Sequence, residues 1–302
     1  MLLKTSYSQN QLRDYSSLFS RSEAQSWMRN DFASIDYKIE RYDVHWLNSS
    51  GVSYGDYLKH VYHVLEAYYQ NEYVFKNAFL NEWLIKEIGQ SNSKVFNEYR
   101  VGNAVADLAM FNGNSKVFEI KTVYDSVNRL ALQLENYRKA FNQIFLVIPE
   151  SKLSLYKKCD DRVGLITFNV NQEQKFTLQR EAVNNQEVNV ETIMHILHTH
   201  EYKAIVKLYY GHLPEMNSFN QFQKCSELIK RIPNHELNQC FIEQMKNRNW
   251  ENVLSSRYYK EFNQLSLALK LSKIEKKNMI QKLKSPLKAY NYVLPIFKSK
   301  AI

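Results

Sequence analysis

The feature that most constrains the fold is the tripeptide Asn112-Gly113-Asn114, set between two runs of Val, Phe, Ile, Leu and Ala. Asn and Gly tolerate positive φ, so the triplet reads as the turn of a β-hairpin. Its arms are residues 104–111 and 116–123, and a third short run rich in Val and Phe, 94–99, precedes them. Residues 126–141 have helical periodicity, with Ser126 read as the cap. Residues 143–148 are almost unbroken apolar sequence, as expected of a strand covered on both faces. A short helix over 152–157 and strands over 163–170 and 175–180 complete the series. Strands joined by helices in this order predict an α/β core: a mixed β-sheet flanked by helices.

Helices are expected on either side of that core. Ser53 and Asp56 read as a helix start, followed by Tyr57, Leu58, Val61, Val64, Leu65 and Tyr68 at helical spacing. An earlier helix is placed over 22–40. A later one spans 74–88, with Phe75, Phe79, Trp83 and Ile88 on one side and Gly89 as its stop. Beyond residue 189 no strand is expected. Helical segments over 191–210, 219–231, 236–247 and 258–284 are punctuated by Pro214, Pro233 and Pro286. This gives a helical N-terminal region (1–73), a core (74–183) and a helical, C-terminally basic region (184–302).

Composition narrows the function. With 44% hydrophobic and 24% charged residues, the 302-residue chain has material for a full core, and only 7 Gly and 5 Pro exclude linker-rich or collagen-like readings. The three cysteines, Cys159, Cys225 and Cys240, form no Cys-x-x-Cys pair, so neither a disulfide framework nor a zinc finger is supported. No segment reaches the roughly 18 apolar residues of a membrane span. The first ten residues lack a signal-peptide run, so a cytoplasmic location is expected. Net charge is +9, and residues 251–302 hold eleven Lys/Arg against three Asp/Glu, so nearly all the excess lies there. Such a balance favours a polyanionic partner. Lys270, Lys273, Lys276, Lys277, Lys282 and Lys284 alternate with Leu267, Leu271, Ile274 and Leu283. Taken alone this fits a salt-sensitive nucleic-acid surface, an anionic lipid surface or a solvated lysine face. His195, His198 and His200 read as surface histidines. On one helix His200 turns away from the other two, and no nearby carboxylate or cysteine completes a metal set.

The chemistry concentrates in residues 98–137. Asp107 lies in the otherwise apolar run 104–110, and eleven residues separate it from Glu119-Ile120-Lys121. Folding the hairpin brings Asp107 beside Glu119. Alternation along the strand sends Glu119 and Lys121 one way and Ile120 into the core. Burying such charges is costly unless they pair or hold a cation. Two hard oxygen ligands suit Mg²⁺ or Mn²⁺ together with substrate phosphate. An ion there would polarise the phosphate and acidify a bound water, which Lys121 is placed to orient. That combination hydrolyses phosphodiesters.

Asp107 followed by Glu119-x-Lys121 resembles the PD-(D/E)XK nuclease superfamily, whose fold is restriction-endonuclease-like. Gln133-x-x-x-Tyr137 on the following helix is similar to a motif of its RecB-like exonuclease branches. The string from Ala106 to Tyr137 resembles an uncharacterised bacterial branch. The resemblance covers about a third of the chain, 74–170, and Ala106 replaces the nominal Pro. It implies an ion held by Asp107, Glu119 and the backbone carbonyl of Ile120, with Lys121 positioning water and Gln133 and Tyr137 flanking the metal. Glu98 fits the upstream carboxylate of many members, or else an edge-strand charge facing Arg100. Glu82, from the preceding helix, reaches the ion or stays on the surface. Arg129 contacts a phosphate or belongs to a solvated helix edge. The implied activity is a Mg²⁺- or Mn²⁺-dependent nuclease leaving a 5′-phosphate, with DNA the expected polymer. Its role would lie in defence against foreign DNA such as phage, in repair or in recombination. The resemblance also favours nucleic acid over membrane for Lys270, Lys273 and Lys277. The helical flanks would choose the substrate, a partner protein or a second copy in a homodimer. The alternative is a non-catalytic nucleic-acid-binding or assembly subunit that keeps the fold.

Overall fold

In the computed structural model, which describes residues 6–88, 93–123, 125–248 and 259–288, the chain divides into two units. One comprises Met1–Tyr69 with Ile274–Ile302, the other Gln70–Lys273. Residues on both sides of position 183 share one hydrophobic core in the second unit, so no division falls there. Gly89, expected as a helix stop, lies outside the described residues.

The first unit is helical. Side-chain oxygens of Ser8 and Ser20 accept backbone N–H groups to start α1 (Gln9–Ser17) and α2 (Arg21–Met28). The single helix expected over 22–40 is in fact two. Asn30 adopts φ +62°, and Asp31 accepts the N–H of Ala33 before α3 (Ala33–Tyr42) begins. Asn and Asp bond locally at little cost, and here that ends one helix and starts the next. Ser53 opens α4 (Tyr54–Tyr68) with a full capping box closed by Asp56. Buried Asp43 accepts hydroxyls from Tyr15 and, at 2.8 Å, Tyr57. Burial and that carboxylate push both phenols well above the ordinary tyrosine range.

The second unit carries a six-stranded sheet among the described residues. Asn71 caps α5 (Glu72–Phe79). The helix expected to run unbroken to residue 88 instead passes through a π turn, Leu80–Leu84, into α6 (Ile85–Ile88). The N–H of Ile85 reaches back to the carbonyl of Leu80, one residue more than an α-helix spans, which rotates α6 relative to α5. The strands are β1 (Lys94–Val101), β2 (Ala104–Phe111), β3 (Ser115–Ile120), β4 (Gln143–Pro149), β5 (Gly164–Phe168) and β6 (Phe176–Arg180), in sheet order 1 to 6. β2 is antiparallel to both β1 and β3, while β3, β4 and β5 are parallel and β6 is antiparallel to β5. The Asn-Gly-Asn triplet makes the β2–β3 turn, with Gly113 at φ +112° and Phe111 opposite Ser115. The expected mixed α/β architecture is therefore the one that forms.

Helix α7 (Leu130–Arg138) joins β3 to β4, and α8 (Leu153–Tyr156) joins β4 to β5. Ser126 does not cap α7. Asp125 accepts the N–H and hydroxyl of Thr122, making a turn first, and Arg129 occupies the cap position. Among the described residues the remaining α-helices are α9 (Val190–Ile196), α10 (Thr199–Tyr210), α11 (Gln221–Ile229), α12 (Asn234–Lys246), α13 (Asn263–Ala268) and α14 (Lys273–Leu283), the last falling in the first unit from Ile274 on. The expected helix 191–210 is split because Glu201 accepts the N–H of His198 at 2.6 Å and restarts the chain as α10. The expected helix 258–284 is interrupted at Lys270, φ +53°.

Both faces of the sheet are covered. One core joins Tyr99, Ala106, Ala109, Val117 and Leu146 to Leu134 and Tyr137 of α7 and to α9–α12. The other joins Leu108, Met110, Phe118, Ile120 and Val147 to Phe75 and Phe79 of α5 and to Leu267 of α13. Double coverage explains why β4 is nearly all apolar.

Candidate active site

Regular strands alternate faces, and departures from alternation mark where a side chain is re-aimed. Phe96 and Tyr99 of β1 enter the same core, as do Ala106 and Ala109 of β2, although each pair is three residues apart. The alternation therefore slips once in each strand. The register brackets the slip: Asn97 pairs with Leu108 and Tyr99 with Ala106, leaving Glu98 facing Asp107 between them. Glu98 takes φ +52°, an uncommon conformation for a residue with a side chain. Paired irregularities thus sit at the two acidic positions.

The β2–β3 ladder also ends just there, at Leu108 opposite Phe118. The next inward N–H of β3, on Ile120, has no backbone acceptor across the ladder, and Asp107 Oδ2 accepts it at 2.7 Å. Asp107 Oδ1 lies 2.7 Å from Nζ of Lys76 on α5. Burial pushes the Asp107 carboxyl up to about 6 despite Lys76, and the charge of Glu119 adds to the rise. Lys76 is itself buried. Burial alone would depress its ammonium, but Asp107 and Glu72, one turn earlier on α5, hold it above the ordinary lysine value.

Glu119 faces α7, opposite in sense to Phe118 and Ile120, and is buried. Its Oε1 accepts from Lys121 Nζ at 2.8 Å and from Gln133 Nε2 at 2.6 Å, and its Oε2 from Tyr137 Oη at 2.7 Å. Lys121 also donates to Gln133 Oε1 at 3.0 Å. Gln133 and Tyr137 are one helical turn apart, so α7 presents both to the same carboxylate. Burial and then Glu119 push the Tyr137 phenol far above its usual range. Of the three ammonium hydrogens of Lys121, two are accounted for, and among the described residues the third has no protein acceptor.

Four of the residues singled out from the sequence, Glu119, Lys121, Gln133 and Tyr137, are thus joined by hydrogen bonds, and Asp107, bonded to the Ile120 N–H, feels the charge of Glu119. Ile120 joins them through its backbone. Tyr137 is fully buried with Leu130 and Leu134, while Val127 and Ala131 are exposed. Glu82 goes elsewhere. The π turn carries it to Lys175, 2.9 Å away, so it is spent on a different ion pair. Glu98 is exposed opposite Asp107, and Arg129 is exposed at the start of α7. Lys270, Lys273 and Lys277 are exposed, and the last two fall in different units. Lys276, counted with them from sequence, is buried, which lowers its ammonium to about 8. Lys76 was missed because its one signal, a lysine at i+4 from Glu72, also describes an ordinary surface pair. His198 and His200 do meet Glu201, with ligand atoms within 4.8 Å, but both Glu201 oxygens are held by Arg248 at 2.7 and 2.8 Å.

A cleft of about 710 Å³ runs along edge strand β1. Its walls include Glu98, Arg100, Asn136, Lys139, Arg248 and Lys270. It passes Glu98, the residue opposite Asp107 on the neighbouring strand.

Fold and site together define a mixed α/β protein with a buried cluster of carboxylates and lysines at the point where two strands part. The family described as Bacteriophage P4 protein cII matches residues 66–285, most of the chain, and this protein belongs to that family. Protein cII of Enterobacteria phage P4 is 36% identical over 95 residues, 30% of this chain. That stretch is 36% of the curated relative, so the match spans about a third of its length. A solved structure, a protein of unknown function (SPO1766) from Silicibacter pomeroyi, aligns with 40% of this chain and 84% of its own. It does so at 13% identity with a TM-score of 0.28. No helix among the described residues is long and apolar enough to cross a membrane.

Proposed function

We propose that this protein is a divalent-metal-dependent nuclease of the PD-(D/E)XK type, acting on DNA in the cytoplasm. The observation that carries the reading is that Asp107 accepts the Ile120 N–H where the β2–β3 ladder opens and feels the charge of Glu119, which Lys121 bonds. The donor chemistry fits a hard cation: two carboxylates, with the Ile120 carbonyl on the strand edge that its N–H turns toward Asp107. A carboxyl raised by burial, as Asp107 is, gains from a dication more than a solvated one would. Mg²⁺ or Mn²⁺, when bound, supplies Lewis acidity toward phosphate and water.

The chain's own residues divide the remaining work. Tyr137 and Gln133 fix both oxygens of Glu119, so its orientation is set before substrate arrives. Lys121, locked by Glu119 and Gln133, keeps one N–H for a water or a phosphate oxygen, where charge develops as the phosphodiester breaks. Arg100 and Lys139 in the β1 cleft offer contacts to a nucleic-acid backbone beside the cluster.

A second reading has one specific observation in its favour. Both carboxylates already have lysine partners, Lys76 and Lys121, as in a purely structural network. That would make the protein a nucleic-acid-binding or assembly subunit. Digestion of linear, circular, nicked and single-stranded DNA with Mg²⁺ or Mn²⁺ separates the two. The nuclease reading expects cutting that Asp107→Ala and Lys121→Ala abolish. Cutting that survives both substitutions, or none on any substrate, rejects it.

A further inference from the structure

Each carboxylate oxygen of Asp107 has a donor, and the one on α5 has a second place to go. Lys76 Nζ stands 2.7 Å from Asp107 Oδ1 and also contacts Glu72. The Glu72 side chain is two-thirds exposed, whereas that of Asp107 is 18% exposed. One acceptor therefore lies in the site and the other at the surface, within one lysine's reach. The other oxygen of Asp107 is occupied by the Ile120 N–H, so Oδ1 is the side from which a cation approaches. A dication seated there beside an ammonium would meet strong like-charge repulsion in a poorly solvated pocket.

We propose that Lys76 is a tethered counter-ion that holds the metal position of Asp107 and must release Asp107, keeping its hold on Glu72 alone, before a divalent ion can bind. This inference rests on the metal-centre reading above and adds the element that regulates it. Lys76 compensates the Asp107 charge while the ion is away, which keeps a buried carboxylate from standing alone. Ion binding is then an exchange of one cation for another. The affinity for the ion is set by the fraction of molecules in which Lys76 has left, so removing Lys76 raises the apparent affinity by the reciprocal of that fraction. The exchange also uncovers Lys76, bringing a buried amine to the surface next to Glu72.

Two measurements on the full-length protein test this, and neither needs catalysis. Calorimetric titration with Mn²⁺ is expected to show Lys76→Met binding at least about tenfold more tightly than the parent, with Lys76→Arg like the parent and Asp107→Asn lacking the site. Lys76→Gln serves if the Met variant fails to fold. Amine-reactive footprinting with and without Mg²⁺ follows Lys76 in the unsubstituted protein. Its labelling is expected to rise severalfold with Mg²⁺, and to be high without Mg²⁺ in Asp107→Asn. A change of overall charge alone does not move that readout. Equal Mn²⁺ affinity in parent and Lys76→Met, or constant Lys76 labelling while Mg²⁺ binds, overturns the exchange and leaves the nuclease reading standing. Absence of Mn²⁺ binding in parent and variant alike overturns both.

Discussion

Lys121 and Glu119 are both deeply placed in the candidate site, with side chains 10% and 5% exposed and 2.8 Å between Nζ and Oε1. At an effective dielectric near 20 their direct attraction is about 6 kcal/mol before desolvation is counted. Replacing Lys121 with Met leaves Glu119 buried with two neutral donors, Gln133 and Tyr137, and no counter-charge. Removing one partner of a buried pair costs about 3–5 kcal/mol, and the two retained hydrogen bonds place the expected loss near the lower bound, about 3 kcal/mol. Replacing both residues, as Lys121→Met with Glu119→Gln, removes the stranded charge, and the amide carbonyl that takes the place of the carboxylate still accepts from Tyr137. The double variant is expected to recover about half of that loss. Urea unfolding of the parent, both single variants and the double variant closes a thermodynamic cycle, from which the coupling should exceed about 1 kcal/mol. Additive effects, with coupling below about 0.5 kcal/mol, would show that the two charges do not sense each other, and the geometry described for the site would be refuted.

Three further outcomes concern other parts of the molecule. Hydrogen bonds from Arg162, with Arg138 beside it, hold Asp160 down to about 2, so its stabilisation is complete above the unfolded carboxylate range near 3.9. The stability gap between parent and Asp160→Asn should shrink as pH falls from about 4 toward 2, and a gap that widens on acidification counts against the pairing. Gly102 sits at φ +55° in the two-residue β1–β2 turn, and a Cβ there would collide with Asn136 Oδ1. Gly102→Ala should cost about 1–2 kcal/mol from the left-handed backbone alone, read as a lower denaturation midpoint. Arg100→Ala with Lys139→Ala, in the β1 cleft, should weaken single-stranded DNA binding measured in EDTA. The log–log salt dependence should flatten by about 0.7 for each phosphate interaction removed, and an unchanged slope would place the nucleic acid elsewhere.

What the sequence made legible was local. The Asn-Gly-Asn hairpin, the Ser53 capping box and the apolar run of β4 are each determined by neighbours a few residues away, and each forms as expected. The Asp107, Glu119, Lys121, Gln133 and Tyr137 cluster could be named because its members lie within one hairpin and the next helix. Features that depend on distant partners were hidden. Lys76 meets Asp107 only once α5 packs on the sheet. The phase slip at Glu98 and Asp107 is shared by two strands and leaves no mark in either alone. Helix interruptions at the π turn and at His198 sit in stretches whose periodicity looks continuous, while around Asn30 the apolar residues were less regularly placed. Tyr137 shares one face of α7 with Leu130 and Leu134, at i+7 from the first, and is buried with them.

The most direct test of the metal centre is crystallographic. Crystals soaked in Mn²⁺ and measured at a wavelength where manganese scatters anomalously should show a peak within about 2.3 Å of carboxylate oxygens of both Asp107 and Glu119. The Ile120 carbonyl should serve as a third ligand and Lys76 should be displaced. A crystal that takes up Mn²⁺ only at other positions, with Lys76 still seated on Asp107, would contradict the assignment of these residues as a catalytic centre.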